Sequence, residues 1–254
     1  MKDYLIDTHA HLDMGVSIDD LELAQVGKVI IPSVEEGTMD KVLELAQKPN
    51  LYAMVGIFPS EAKTYSPEIE KRMIERAKNK KVVAVGEIGL DYYWDKSFND
   101  IQKEVFAKQI RLANKLNLPI VVHDREAHKD CFDILKQENN GSKVLFHCFS
   151  GSVEFMRECV KEGWNIALGG VVTFKNAVKM KEVATEIPLD KLLLETDAPY
   201  LTPVPFRGKE NQPAYTKYTA EEISKLRGIS FEEVDNITTK NAETIFSLPH
   251  QSNL

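Results

Sequence analysis

Six residues able to bind divalent cations lie just beyond short apolar runs of this chain. Tyr4–Ile6 leads into Asp7-Thr8-His9-Ala10-His11, Val82–Val85 into Gly86-Glu87, and Ile120–Val122 into His123. Val144–Phe146 leads into His147, and Leu192–Leu194 into Glu195-Thr196-Asp197. In extended backbone, residues two apart point to the same side, so His9 and His11 project together. The chain has six histidines, and only His128 and His250 stand away from these run ends. Imidazoles and carboxylates without thiolates suit Zn²⁺, Mn²⁺, Mg²⁺ or a similar ion. The four histidines with Glu87 and Asp197 exceed what one four-coordinate ion needs. They suit two ions sharing a carboxylate and a water, and Glu87 is the natural bridge. Singly, each residue is ordinary: a His-x-His pair can be polar surface, and Asp197 can be a helix cap. Their shared position at the ends of predicted strands carries the metal reading. Cys148 directly follows His147, so strand alternation turns its thiol away, toward the core.

Further polar groups cluster after the last apolar run. The segment from Pro203 to Pro213 holds Arg207, Lys209 and Asn211 in a proline-stiffened loop, and Arg125 follows His123 by two residues. Cations there can neutralise an anionic oxygen, so these four are the candidate substrate-binding residues. Tyr92-Tyr93-Trp94 offers either stacking faces for bases or packing over a rim.

The elements that must position these groups repeat. Eight apolar or β-branched runs are present: the five above plus Val29–Pro32, Tyr52–Ile57 and Asn165–Leu168. Helix-like segments lie between them. Ser66-Pro67-Glu68 is an N-cap followed by proline in the first turn. Residues 97–118 show apolar positions at three-to-four spacing and stop before Pro119. Strands alternating with helices imply a parallel sheet. Eight such units predict a single (β/α)8 TIM barrel over residues 1–254, whose active site forms at the C-terminal strand ends. Extra C-terminal helices are predicted near Ala220–Leu226 and Phe231–Phe246.

Composition sets the outer bounds. The 254 residues are 43% hydrophobic and 28% charged, with 32 Lys+Arg against 39 Asp+Glu and a net charge of −7. That supports a sizeable core and argues against the wide basic face of a sequence-specific DNA reader. No apolar run approaches the roughly 18 residues of a membrane span. Asp7 and two histidines stand where a secretory leader needs apolar residues. The three cysteines contain no CxxC pair, so neither a disulfide framework nor a thiolate zinc site is predicted. The expectation is a cytoplasmic protein with no membrane and no obligate protein partner.

These motifs give the chain a marked resemblance to the TatD family of metal-dependent hydrolases, a branch of the amidohydrolase-type barrels. They are DTHAHLD at 7–13, GEIGLDYYWD at 86–95, PIVVHDREA at 119–127, HCFSG at 147–151, ETDAPYLTP at 195–203 and FRGKENQP at 206–213. The resemblance implies a dinuclear site with His9, His11, Glu87, His123, His147 and Asp197 as ligands and Glu87 bridging. It also implies metal-dependent deoxyribonuclease activity. The expected chemistry is attack of a metal-activated water on phosphorus, with Asp197 as general base and Glu87 also catalytic. One position departs from the family pattern. Where G-x-H-P is usual after the third strand, the chain reads Gly56-Ile57-Phe58-Pro59. The segment Met14–Gly27 is also short for a full crossover helix. Two rivals follow: another ester or amide hydrolase on the same site (lactonase, aminoacyl-tRNA deacylase or cyclic amidase type), and a non-catalytic metal-binding barrel.

Overall fold

The computed structural model describes residues 5–16 and 26–249. The strands are β1 (Leu5–Asp7), β2 (Val26–Ile31), β3 (Leu51–Val55), β4 (Val82–Asp91), β5 (Ile120–Arg125), β6 (Val144–Phe146), β7 (Asn165–Leu168) and β8 (Leu192–Leu194). Between them run α1 (Glu36–Leu45), α2 (Pro67–Arg76), α3 (Asn99–Leu116), α4 (His128–Glu138), α5 (Val153–Lys161) and α6 (Val178–Glu186). After β8 come α7 (Thr216–Arg227) and α8 (Phe231–Phe246). All eight strands pair in parallel in chain order. The first and last meet through their trailing residues: the Thr8 amide donates to the Leu194 carbonyl at 3.1 Å, and Ala10 and Ala198 form a parallel bridge. The molecule is a (β/α)8 TIM barrel, closed where candidate ligands leave the strands.

Local chemistry explains the elements. Ser66 caps α2 by accepting from the Ile69 amide, with Pro67 in the first turn, as the sequence predicts. α3 stops at Asn117, which takes a left-handed conformation. Strand alternation sorts the core into two layers. Ile6, Ile30, Val121, Leu145, Ala167 and Leu193 fill the barrel interior. Their neighbours Leu5, Ile120, Val122, Phe146, Leu192 and Leu194 face the helices. Ala242, Ile245 and Phe246 of α8 join the interior cluster. On the side of the barrel where α8 packs, buried Lys28 pairs with Glu243 at 2.6 Å.

Three differences from the sequence reading stand out. β4 continues to Asp91 instead of ending at Val85, with an irregular register against β5 between Val85 and Ile88. Gly89 makes this possible: at φ +147° a Cβ would lie 2.0 Å from the His123 carbonyl oxygen. β2 starts at Val26, three residues earlier than predicted. The third is a helix expected from residue 97 that begins at Asn99 after a 3-10 turn over Lys96–Phe98. Tyr4, His250 and most of Met14–Gly27 lie outside the described residues. No described helix is long and apolar enough to cross a membrane.

Candidate metal centre

The alternation that fills the barrel also builds the site above it. On β5, Val121 points inward, so His123 and Arg125 follow on the same side. On β6, Leu145 inward places His147 inward; on β8, Leu193 inward does the same for Glu195. His9, His11, Glu87, His123, His147 and Asp197 therefore meet at one mouth.

The carboxylate of Glu87 sits at the centre, with its two oxygens turned toward two groups. Oε2 lies 3.3 Å from His9 Nε2 and 3.8 Å from His11 Nε2. Oε1 lies 2.7 Å from both His123 Nδ1 and His147 Nε2. Asp197 joins the first group, its Oδ1 3.5 Å from His11 Nε2 and 4.0 Å from His9 Nε2. Among the described residues, His9, His11 and Asp197 form one set with ligand atoms spaced for a metal, and Glu87, His123 and His147 another.

Two outer carboxylates stand behind the rings, and one of them, Asp91, is hydrogen-bonded to its histidine. Asp91, at the end of β4, lies 3.1 Å from His123 Nε2, which leaves Nδ1 facing Glu87. Glu195 Oε2 lies 3.8 Å from His147 Nδ1, while its Oε1 accepts from the Cys148 amide at 2.6 Å. Asp7 ties β1 to the segment after β8. It accepts from the His9 amide at 3.1 Å, the Thr196 amide at 3.0 Å and the Thr196 hydroxyl at 2.5 Å.

The electrostatics fit cation binding. Burial lowers His9 to about 4, with the neighbouring His147 adding to the effect, so His9 is neutral and ready to ligate. Burial also opposes charge on Glu87, yet His147, His9 and His123 hold its carboxyl well below the usual range. Asp197 is lowered as well: burial works against it, but the hydrogen bond from His11 and nearby histidines prevail. For His123 burial is outweighed by Asp91 and Glu87, raising it to about 9. Burial pushes Glu195 far up, with Asp197 and Asp7 adding to it. Both ring nitrogens of His9 are buried without a hydrogen-bond partner among the described residues. Such orphaned groups cost roughly 1–3 kcal/mol. A cation at Nε2 would satisfy one of them, so the residues present fit a metal.

The remaining candidates take different places. Arg125 lies over Tyr93, its guanidinium carbon 3.9 Å from the ring centroid. Exposed Arg207 stacks on Phe174 at 3.9 Å and donates to the Thr202 carbonyl at 2.8 Å. Exposed Lys209 sits over Phe206 at 5.5 Å. Asn211 is fully buried, and its side-chain amide donates to the Thr196 and Tyr200 carbonyls at 2.9 and 2.6 Å. Its amide ties the long loop to the segment carrying Asp197. Cys148 is not in the core as alternation suggests: a left-handed φ of +43° breaks the strand pattern, and it is half-buried. Phe58 is half-buried, with its ring edge-on to His123 at 4.6 Å. Asp91 is not marked by the sequence, because the apolar run of the fourth strand stops at Val85. Glu195 does end an apolar run, and its spacing two before Asp197 is the signal that it faces the site.

A sequence model described as TatD related DNase matches residues 6–247. The chain belongs to the TatD family. The metal-dependent hydrolase YabD of Bacillus subtilis is 45% identical over 255 residues, covering 96% of this chain and 99% of the relative. The metal-dependent hydrolase TatD of Mycobacterium tuberculosis is 33% identical over 259 residues, covering 96% of this chain and 98% of that protein. The crystal structure of YjjV, a TatD homologue from Escherichia coli, superposes with a TM-score of 0.90 at 32% identity, covering 98% of this chain and 100% of that one. This chain is a metal-dependent hydrolase of the TatD family, and its candidate ligands stand at the strand ends.

Proposed function

We propose that this hydrolase cleaves phosphodiester bonds, with DNA as the substrate class, using two divalent ions. The division of the Glu87 oxygens between two ligand groups carries the reading. His9, His11 and Asp197 would hold one ion, His123 and His147 the other, and Glu87 would touch both. When bound, such ions lower the pKa of a water toward neutrality and polarise a phosphoryl oxygen. Asp197 is ionised and open to the mouth, with a side chain 16% exposed, so it can accept the proton of the attacking water. A P–O bond forms to that water oxygen, the ester P–O bond breaks, and the proton passes to the leaving oxygen. Asp91 keeps the His123 ring oriented throughout. Arg125, with Arg207 and Lys209 on the loop after β8, offsets charge on the phosphoryl oxygens.

One observation favours a second reading. Phe58 stands against His123, where the family pattern has a histidine able to hold a phosphate or position a leaving group. A phenyl edge there suits a smaller or less charged ester. The test is hydrolysis of single-stranded DNA by metal-stripped protein restored with Mg²⁺, Mn²⁺ or Zn²⁺, beside a Phe58→His variant. The proposal expects metal-dependent cleavage by the natural protein. Silence from both proteins with metal bound would overturn it in favour of other ester or acyl substrates.

A further inference from the structure

Contacts cross the seam of the barrel in a ladder that runs outward from the strands. The Thr8 amide donates to the Leu194 carbonyl at 3.1 Å, the Asp197 amide to the His9 carbonyl at 2.9 Å and the His11 amide to the Ala198 carbonyl at 2.8 Å. Beyond these backbone rungs lies one made by side chains: the Tyr200 hydroxyl donates to the Met14 sulfur at 3.6 Å. Barrel closure accounts for the backbone rungs. Neither the fold nor the ligand set requires the outer one. The segments it joins carry His9 and His11 on one side and Asp197 on the other.

Met14 also stands apart in its surroundings. It is 54% exposed, whereas Met39, Met54, Met73, Met156 and Met180 are buried, none above 7%. A thioether in water meets oxidants that a buried one does not. Its partner Tyr200 is exposed as well, with its ring edge-on to that of His11, centroids 6.3 Å apart. A thioether sulfur is a weak acceptor, so the rung holds the two segments loosely. A sulfoxide oxygen is a strong one. The 3.6 Å between sulfur and phenol oxygen leaves space for a bent S–O···H–O contact with about 2.7 Å between the oxygens, and neither segment has to move.

We propose that Met14 is a reversible oxidation site, and that its sulfoxide fastens to the Tyr200 hydroxyl and closes one side of the metal centre. The oxidant is hydrogen peroxide. A sulfur lone pair attacks one peroxide oxygen, the O–O bond breaks and an S–O bond forms. The sulfur gives up two electrons, and the departing oxygen takes the proton of the transferred one and leaves as water. A methionine sulfoxide reductase reverses the change. Sulfoxides commonly disrupt structure by placing a polar group among apolar ones; here a donor already faces the new oxygen, so oxidation tightens the seam. The effect on a bound ion rests on the ligand assignment above, but not on the phosphodiester reading.

The test treats the metal-free full chain with hydrogen peroxide and maps oxidation by peptide mass spectrometry. Met14 should oxidise at least about tenfold faster than each of the five buried methionines. The new hydrogen bond should raise the melting temperature by about 2–4 °C. Tyr200→Phe should oxidise equally fast without that rise, Met14→Leu should show no rise, and reductase treatment should restore the original value. In Zn²⁺-loaded protein, release to a chelator should slow roughly 2- to 10-fold on oxidation, and only with Met14 and Tyr200 both present. Oxidation of Met14 no faster than that of the buried methionines would overturn the site. A melting temperature that stays or falls, or that rises equally in Tyr200→Phe, would overturn the clasp. A melting rise with unchanged Zn²⁺ release would contradict closure of the metal centre. Failure to cleave DNA would remove the hydrolysis reading and leave all of these readouts in place.

Discussion

In the proposed dinuclear centre Glu87 would decide whether a second ion is held, because its two oxygens face different histidine groups. An amide keeps the shape but cannot supply two anionic oxygens. Glu87→Gln should therefore bind fewer ions per chain by elemental analysis, and should lose more activity than the roughly 10- to 100-fold typical of outer partners. A variant that keeps the full metal complement would contradict its bridging role. His123 gives a second residue-scale prediction. With its ring raised to about 9 in the metal-free protein, it carries a proton at neutral pH, and a ligand must give that proton up. Metal affinity should rise with pH up to about 9 and then level. Calorimetry in buffers of different ionisation heat should show proton release at pH 7, and its absence would count against His123 as a ligand. Most of these residues were legible from alternation: runs ending in His123 and His147 say which way the rings point. Asn211 was not, because its direction depends on the Thr196 and Tyr200 carbonyls, which approach only once the loop after β8 folds back.

At the scale of elements, β4 does the most to shape the site. It carries Glu87 and reaches Asp91. Its full length was hidden in the sequence, since polar and glycine residues from 86 onward look like a loop end. Pairing to Arg125 needs the backbone of β5 to pass over residue 89 with no Cβ in the way, a long-range condition. Gly89→Ala should consequently lower stability by more than about 3 kcal/mol in urea unfolding. Gly141 is the useful contrast, because at φ +100° its added Cβ would meet nothing within 4 Å. Gly141→Ala should cost only about 1 kcal/mol. Equal losses would show that backbone conformation, rather than contact with His123, sets the requirement at 89. The helices were easier to read: α2 and α8 begin after Ser66 and Ser230, whose hydroxyls accept amides of the first turn.

At the scale of the whole molecule, the barrel closes through the residues that lead into the ligands. β1 and β8 are three residues each, and the junction runs from Asp7 at the end of β1 through Thr8, Ala10 and Ala198 beyond the strands. Metal held by His9, His11 and Asp197 would therefore clasp the seam of the barrel. Chelation should lower the melting temperature by about 5–10 °C relative to protein at a hundredfold excess over Kd. Scanning calorimetry checks this, and equal melting with and without metal would show that the seam is stable by packing alone. Eight runs in order were enough to predict the barrel, because parallel pairing with crossover helices leaves few alternatives. The surroundings of the ligands were less legible, since Phe58 meets His123 and Arg125 meets Tyr93 only once the barrel has formed.

The most direct measurement is a titration of metal-stripped protein with a divalent ion, reading bound metal and hydrolysis of a single-stranded oligonucleotide in the same samples. The dinuclear account predicts no cleavage without metal, and activity that appears as the second equivalent binds. Cleavage that survives full chelation, or that is complete with a single ion bound, would contradict it.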